Sequence, residues 1–245
     1  MKQTQKLYES DGWQAMPGEQ LRPGGRQLTR YGLQLARPLP GSQVLDVGCG
    51  NGATVAYLRR LGFAAQGVDV SAKLIQAARA KGLPCRWGNA AALPFAGQQF
   101  AAVLAECSFS VFPQQKRFLQ EAWRVLQPGG KLLLSDLYQK RQQTAVELPF
   151  VSCLNGIQTK GMLQRQLART GFVPVAWQDC TSLYHSFLAE LVMTYGSMAA
   201  FWRQMLPDCG EAMIAARQTA AVSLSYYLAV WQKPVQQKRR GRGGR

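Results

Sequence analysis

The sequence predicts an α/β fold built on a mostly parallel sheet with helices on both faces, and three observations predict it. An apolar run at Val44, Leu45 and Val47, broken only by Asp46, leads into glycines at alternate positions, Gly48, Gly50 and Gly52. A helical pattern resumes directly after them, and further short apolar runs alternate with amphipathic stretches along the chain. Such alternation marks strand–helix–strand units whose strands lie in parallel. Finally, 245 residues can bury one substantial core, and no stretch approaches the ~18 uncharged apolar residues of a membrane span.

Val44, Leu45 and Val47 suit a strand buried on both faces. Glycine after such a strand lets the chain turn sharply and lets backbone amides approach a ligand with no Cβ in the way. The helical pattern from Ala53 to Leu61 means that the loop opens a helix, whose N-terminus favours anionic or polar ligand groups. This is the layout of a nucleotide-type cofactor site. Spacing narrows it further, because neither the G-x-G-x-x-G of nicotinamide and flavin sites nor the G-x-x-x-x-G-K-S/T of a P-loop occurs here. A second strand, Ala64 to Val70, carries Asp69 about 20 residues beyond the loop, where a carboxylate accepts bonds from ribose hydroxyls.

The D-x-G-x-G-x-G run at Asp46 to Gly52, taken with Asp69, resembles the class I S-adenosylmethionine (SAM)-dependent methyltransferases. The resemblance implies a Rossmann-like sheet of seven strands and SAM as cofactor, held around Asp46, Gly48, Cys49, Gly50, Asp69 and Val70. Lys73 to Lys81 reads as the next helix, with Ser71 as N-cap and Gly82 as stop. Cys85 to Phe95 then resembles the family segment G-D-A-x-x-L-P-F, in which the Asp accepts a bond from the adenine amino group and the next amide contacts the ring. Here those positions are Asn89 and Ala90; the Asn carbonyl accepts a hydrogen bond without charge assistance.

A fourth strand, Phe100 to Ala105, ends at Glu106-Cys107-Ser108. Lys116 to Leu126 is amphipathic and runs into Gln127-Pro-Gly-Gly-Lys131, a turn that resembles the family's L-x-P-G-G-x-L, before a fifth strand at Leu132 to Ser135. Thr159 to Thr170 reads as a helix stopped by Gly171, and Phe172 to Gln178 as a sixth strand. Helices follow at Leu183–Thr194, Ser197–Met205 and Glu211–Ala221, and Tyr226 to Gln232 alternates as the antiparallel seventh strand of this fold. The expected organisation is an N-terminal lid at 1–40 and a methyltransferase domain at 41–235. A helical insertion at about 181–222 separates strands six and seven. Its aromatics are expected in the core.

Net charge is +16, part of it in a Gly-interrupted tail at 236–245 with Lys238, Arg239, Arg240, Arg242 and Arg245. No apolar residue follows Val235, so the tail is expected to be disordered, either a solubilising terminus or a weak nonspecific polyanion binder. The six cysteines show neither C-x-x-C pairs nor a disulfide-scaffold spacing, and the N-terminus lacks a signal-peptide pattern, so a cytoplasmic setting is expected.

The acceptor is the open question, and the cysteines address it. Cys107 follows strand four, and Cys153 lies in Leu148-Pro-Phe-Val-Ser-Cys-Leu-Asn-Gly-Ile157. Both segments resemble those of arsenite methyltransferases, in which two cysteines hold trivalent arsenic beside the methyl donor; quinone-biosynthesis methyltransferases are a second similar group. Soft thiolates select soft elements. The family's additional N-terminal cysteines have no counterpart here, and its Asn before the first cysteine is Glu106. Glu106 and Asp136 end strands where an acceptor is oriented, Arg22 has the bidentate geometry for the SAM carboxylate or is a surface residue of a turn, and Tyr8 either lines the methyl-transfer site or packs the lid. His185, the single histidine, is a base by its ordinary pKa and an exposed or packed helix residue by its position. The expected activity is methyl transfer to a small molecule, with a thiol-bound metalloid such as arsenite the sharpest form. The alternatives are RNA or protein methylation recruited by the tail, and a SAM-binding partner subunit without catalysis.

Overall fold

Strand β1, Gln43–Val47, is buried at every residue after Gln43 and takes the centre of the sheet. The computed structural model describes residues 5–14, 16, 22–141, 150–151, 153–154, 156–207, 211, 214 and 224–235. Around β1 lie β2 (Ala64–Asp69), β3 (Cys85–Trp87), β4 (Phe100–Glu106), β5 (Leu126–Gln139), β6 (Val173–Asp179) and β7 (Leu224–Gln232). Their spatial order is β3-β2-β1-β4-β5-β7-β6, with the short segment Gln158–Thr159 also paired to β5. Strands β1 to β5 pair in parallel, and β7 runs antiparallel to both β5 and β6. The order reverses at β1 and β4, the switch point outside which open α/β sheets bind ligands.

Neighbouring strand residues face opposite sides, and each side has its own helices. Val44, Leu104 and Leu133 pack with Leu33 of α1 (Gly25–Ala36), Leu58 of α2 (Ala53–Arg60) and Ile75 of α3 (Ala72–Ala80). Leu45, Val103 and Leu134 pack with Phe118 and Leu119 of α4 (Gln115–Val125) and Leu167 of α5 (Lys160–Thr170). Each such side chain contributes about 1.5–3 kcal/mol on burial, so the two layers fix the strand ends that carry the site. The helix limits follow their signals: Ser71 Oγ accepts from Leu74 N at 3.3 Å, and Gly171 ends α5 with φ 103°.

Two boundaries differ from expectation. β5 begins six residues earlier than the predicted Leu132, because Gln127 to Gly130 bulge out between the Phe100–Leu126 and Ala102–Lys131 pairs instead of forming a separate turn. Gly129 at φ 83° permits that fold-back, and β7 pairs with β5 from Lys131 to Gln139. The N-terminal 40 residues are also not all lid. Leu28, Leu33 and Ala36 of α1 are buried against the sheet, Leu28 also beside Tyr184 of α6 (Thr181–Tyr195), and the earlier part, with Leu7, Trp13 and Met16, packs on α6 and α7 (Met198–Met205). Between β6 and β7 the described residues include α6 and α7. The helix predicted at Glu211–Ala221 falls largely outside the described residues, and the tail at 236–245 wholly so. Among the described residues no helix is long and apolar enough to cross a membrane.

Candidate active site

Beyond the carboxyl ends of β1, β2 and β4 lies a cavity of about 390 Å³, within the range of small-molecule sites. The glycine loop forms its floor. Gly48, at φ 79°, passes so close to the turn after β4 that a Cβ would lie 2.5 Å from Ser108 Cβ. Gly50, at φ 54°, has no neighbour nearer than 3.9 Å to such a Cβ and faces the cavity. α2 starts at Gly52 with no side-chain cap, and Ala53 and Thr54 line the cavity. Uncapped amides at a helix N-terminus donate to polar or anionic ligand groups.

Asp69 ties the loop to β2. Its Oδ2 accepts from Gly50 N at 2.9 Å and its Oδ1 from Ser71 N at 2.8 Å, while the residue lines the cavity. Asn89 and Ala90 line the same cavity; Asn89 Oδ1 accepts from Ala91 N at 2.9 Å, closing its own turn. Val70 is 54% exposed at the rim and offers its carbonyl to Trp87 Nε1. Asp46 is buried, and burial followed by the nearby Glu106 charge holds its carboxyl well above the ordinary value.

Arg22 and Glu106 meet each other. Arg22 Nη2 donates to Glu106 Oε2 at 2.6 Å and to Thr29 Oγ1 at 2.6 Å, and Thr29 donates to Glu106 Oε1 at 3.0 Å. The guanidinium expected on the cofactor carboxylate is thus engaged by Glu106, and Glu106 holds the N-terminal segment. Arg22 Nε, buried at the cavity wall without a partner among the described residues, keeps a donor available for a ligand carboxylate. Uncapped helix amides, the glycine floor and this donor together fit an adenosyl group ending in an amino acid.

A second, smaller cavity of about 60 Å³ adjoins the first through Tyr8, Trp13 and Cys107. Its walls are apolar and include Tyr184, Phe187, Phe201 and Trp202, so these insertion aromatics line a chamber as well as fill a core. Among the described residues the walls carry no carboxylate, histidine or lysine. Cys107 and Cys153 sit here as hydrogen-bonding partners, and that bond, followed by burial, pushes the Cys107 thiol well above its ordinary value. Cys107 adopts φ 53°, a conformation rare outside glycine that is retained where surrounding structure enforces it. Tyr8 Oη accepts from Cys153 N at 2.8 Å, and burial keeps its phenol protonated.

One expected role is not met by position, and one alternative is settled. Asp136 is buried away from both cavities and accepts from Ser110 N, Ser110 Oγ and Leu137 N, anchoring the turn after β4. His185 is exposed on α6 and lines neither cavity, which is the packed-or-exposed alternative rather than a base. Sequence reasoning missed Trp13, Trp202 and Tyr226 as chamber walls. Tyr226 was visible only as one inward position of an alternating strand, and nothing in the pattern distinguished wall from core.

Residues 45–134 match a family described as Methyltransferase domain. Relatives include the uncharacterized methyltransferase YodH of Bacillus subtilis, 35% identical over 45% of this chain and 50% of that protein. A fatty-acid O-methyltransferase of Mycolicibacterium smegmatis is 37% identical over 45% and 44%. An arsenite methyltransferase of Aquipseudomonas alcaligenes is 30% identical over 58% and 48%. The chain thus spans about half the length of the relatives it matches. Among solved structures, a Haemonchus contortus phosphoethanolamine N-methyltransferase 2 bound to S-adenosylhomocysteine superposes with TM-score 0.69 at 17% identity, over 89% of this chain and 55% of that one. The SpnF cyclase superposes with TM-score 0.63 at 23% identity, over 86% and 81%. Likeness at these identities establishes the fold, and the inclusion of a cyclase shows that fold alone does not assign the chemistry.

Proposed function

We propose that this chain, whose residues 45–134 match the Methyltransferase domain family, is a class I SAM-dependent methyltransferase that transfers the methyl group of SAM to a small thiophilic acceptor held by Cys107 and Cys153. The observation that carries the acceptor is the meeting of these two thiols where the cofactor cavity opens into the apolar chamber. SAM supplies a methyl group made electrophilic by its sulfonium. Residue roles follow from placement: Asp69 takes the ribose side, Asn89 and Ala90 the adenine side, and Arg22 Nε the amino-acid end.

Trivalent arsenic presented as arsenite is the acceptor this arrangement suits best. Two soft sulfurs occupy two of its valences, and the lone pair on the element attacks without a base. That matters because the chamber offers no carboxylate, histidine or lysine among its described residues. Tyr8 orients the Cys153 backbone, and the N-terminal segment with Trp13 excludes water from the junction. Alignment of nucleophile and methyl is the main rate contribution such a site makes. The likeness to an arsenite methyltransferase supports the same reading.

Two measurements test the two halves separately. Titration calorimetry with SAM should show binding that Asp69→Ala weakens by about tenfold or more, the loss of a charged acceptor serving two amides; unchanged affinity overturns the cofactor assignment. Incubation with SAM, arsenite and a thiol should yield methylated arsenicals by mass spectrometry. No product, or full product from the Cys107→Ser and Cys153→Ser variants, overturns the acceptor.

A further inference from the structure

A second pair of thiols lies beneath the glycine loop, in the layer that holds Val44 and Leu58. Cys49 belongs to the loop itself and lines the cofactor cavity, whereas Cys85 begins β3. Both meet at Gly67 of β2, which is the register partner of Cys85. A Cβ on Gly67 would lie 2.6 Å from Cys49 Sγ and 2.9 Å from Cys85 Sγ, so the two sulfurs together occupy the space of its missing side chain. Cys85 Sγ also lies 3.4 Å from the Cβ position of Gly52, where α2 begins. The thiols are mutual hydrogen-bonding partners.

We propose that Cys49 and Cys85 form an oxidative modification site taking hydrogen peroxide, and that closing their disulfide weakens cofactor binding. The chemistry of the pair is unequal. Donation from Cys49, helped by the Arg79 and Lys81 charges, lowers the Cys85 thiol against the opposing effect of burial. Thiolate character near basic groups, a path for the oxidant and a second thiol in contact together make a cysteine an oxidation site. The Cys85 sulfur attacks one peroxide oxygen, the O–O bond breaks, and water leaves behind a sulfenic acid. Cys49 sulfur then displaces that hydroxyl; the second water leaves and the S–S bond forms. Two S–H bonds are lost and the peroxide takes both electrons.

The consequence follows from what Cys49 holds. Its amide donates to Val68 O at 3.2 Å, its carbonyl accepts from Gly52 N at 3.0 Å, and the next amide, Gly50 N, is the one on Asp69. A covalent link to β3 draws this segment toward the sheet edge and away from the geometry that Gly50 and Asp69 share. Both thiols are buried, and of the two only Cys49 lines the cofactor cavity, the route by which peroxide reaches the pair. Bound SAM therefore shields the pair.

This inference rests on the cavity being the SAM site, and its test reports the two separately. The Cys107→Ser protein, which lacks the other thiol pair, is exposed to hydrogen peroxide, alkylated and mapped by mass spectrometry. Titration calorimetry with SAM is run before and after oxidation. The expected result is a linked Cys49–Cys85 peptide, formed more slowly when SAM is present, with affinity lowered by about tenfold and restored by dithiothreitol. Cys85→Ala and Cys85→Ser in the same background should bind SAM when reduced and keep that affinity after oxidation. Absence of the linked peptide, a linked peptide with unchanged affinity, or equal loss of affinity in the Cys85 variants overturns the proposal. Failure of the reduced protein to bind SAM at all instead overturns the cofactor reading, leaving the peptide result to decide the thiol chemistry.

Discussion

Arg22, on the N-terminal segment, and Glu106, at the end of β4, are 84 residues apart in sequence and joined at 2.6 Å with side chains only 13% and 5% exposed. The pair couples that segment to the strand carrying Cys107. Removing the cation leaves a buried carboxylate beside Asp46, and breaking one partner of a buried pair costs about 3–5 kcal/mol. Arg22→Ala should therefore lose stability on that scale in urea unfolding, with Arg22→Lys recovering part of it. A loss under about 1 kcal/mol would show that the pair is screened as at a surface.

Glycine substitutions separate close approach from backbone preference. Gly48 and Gly62 both have positive φ, 79° and 87°. A Cβ on Gly62 meets nothing within 4 Å, whereas one on Gly48 would lie 2.5 Å from Ser108 Cβ. Gly62→Ala should cost only the left-handed preference, about 1–2 kcal/mol. Gly48→Ala should cost clearly more and also reduce SAM affinity, because relief requires moving the loop or the turn after β4. Equal stability losses in thermal or urea unfolding would count against the packing argument.

The sheet and the cofactor loop were legible because they obey local rules. Val44 to Val47 is apolar on both faces, the loop needs glycine at Gly48 for a steric reason, and Ser71 and Gly171 mark helix limits by their own chemistry. The acceptor chamber was not legible in the same way. Tyr8, Cys107, Cys153 and Trp202 come from four separate elements, and their meeting depends on how α6 and α7 sit over the sheet. The two cysteines were visible as a resemblance, but the aromatic wall around them was indistinguishable from core. Pairing of Arg22 with Glu106 likewise joins distant segments, so Arg22 alone suggested a cofactor contact and Glu106 alone an acceptor contact.

Asp136 gives a pH dependence whose sign is fixed by its burial. Burial pushes its carboxyl up to about 6 from an ordinary 3.8, although Ser110 and Leu137 hydrogen bonds oppose that rise. A carboxyl protonated more readily in the folded than in the unfolded chain stabilises the fold below the unfolded value, and that contribution is lost as pH rises through the folded one. Its share of stability therefore falls between about pH 4 and pH 6 and is constant above. Asp11, Glu121 and Asp179 have lowered values and act with the opposite sign, so the raw stability curve mixes these effects. The difference between wild type and Asp136→Asn isolates the one group. Urea unfolding of both proteins in steps across that window should show the variant gaining on wild type as pH rises, then a constant offset. An offset that does not change with pH would mean that Asp136 keeps its ordinary titration in the folded protein.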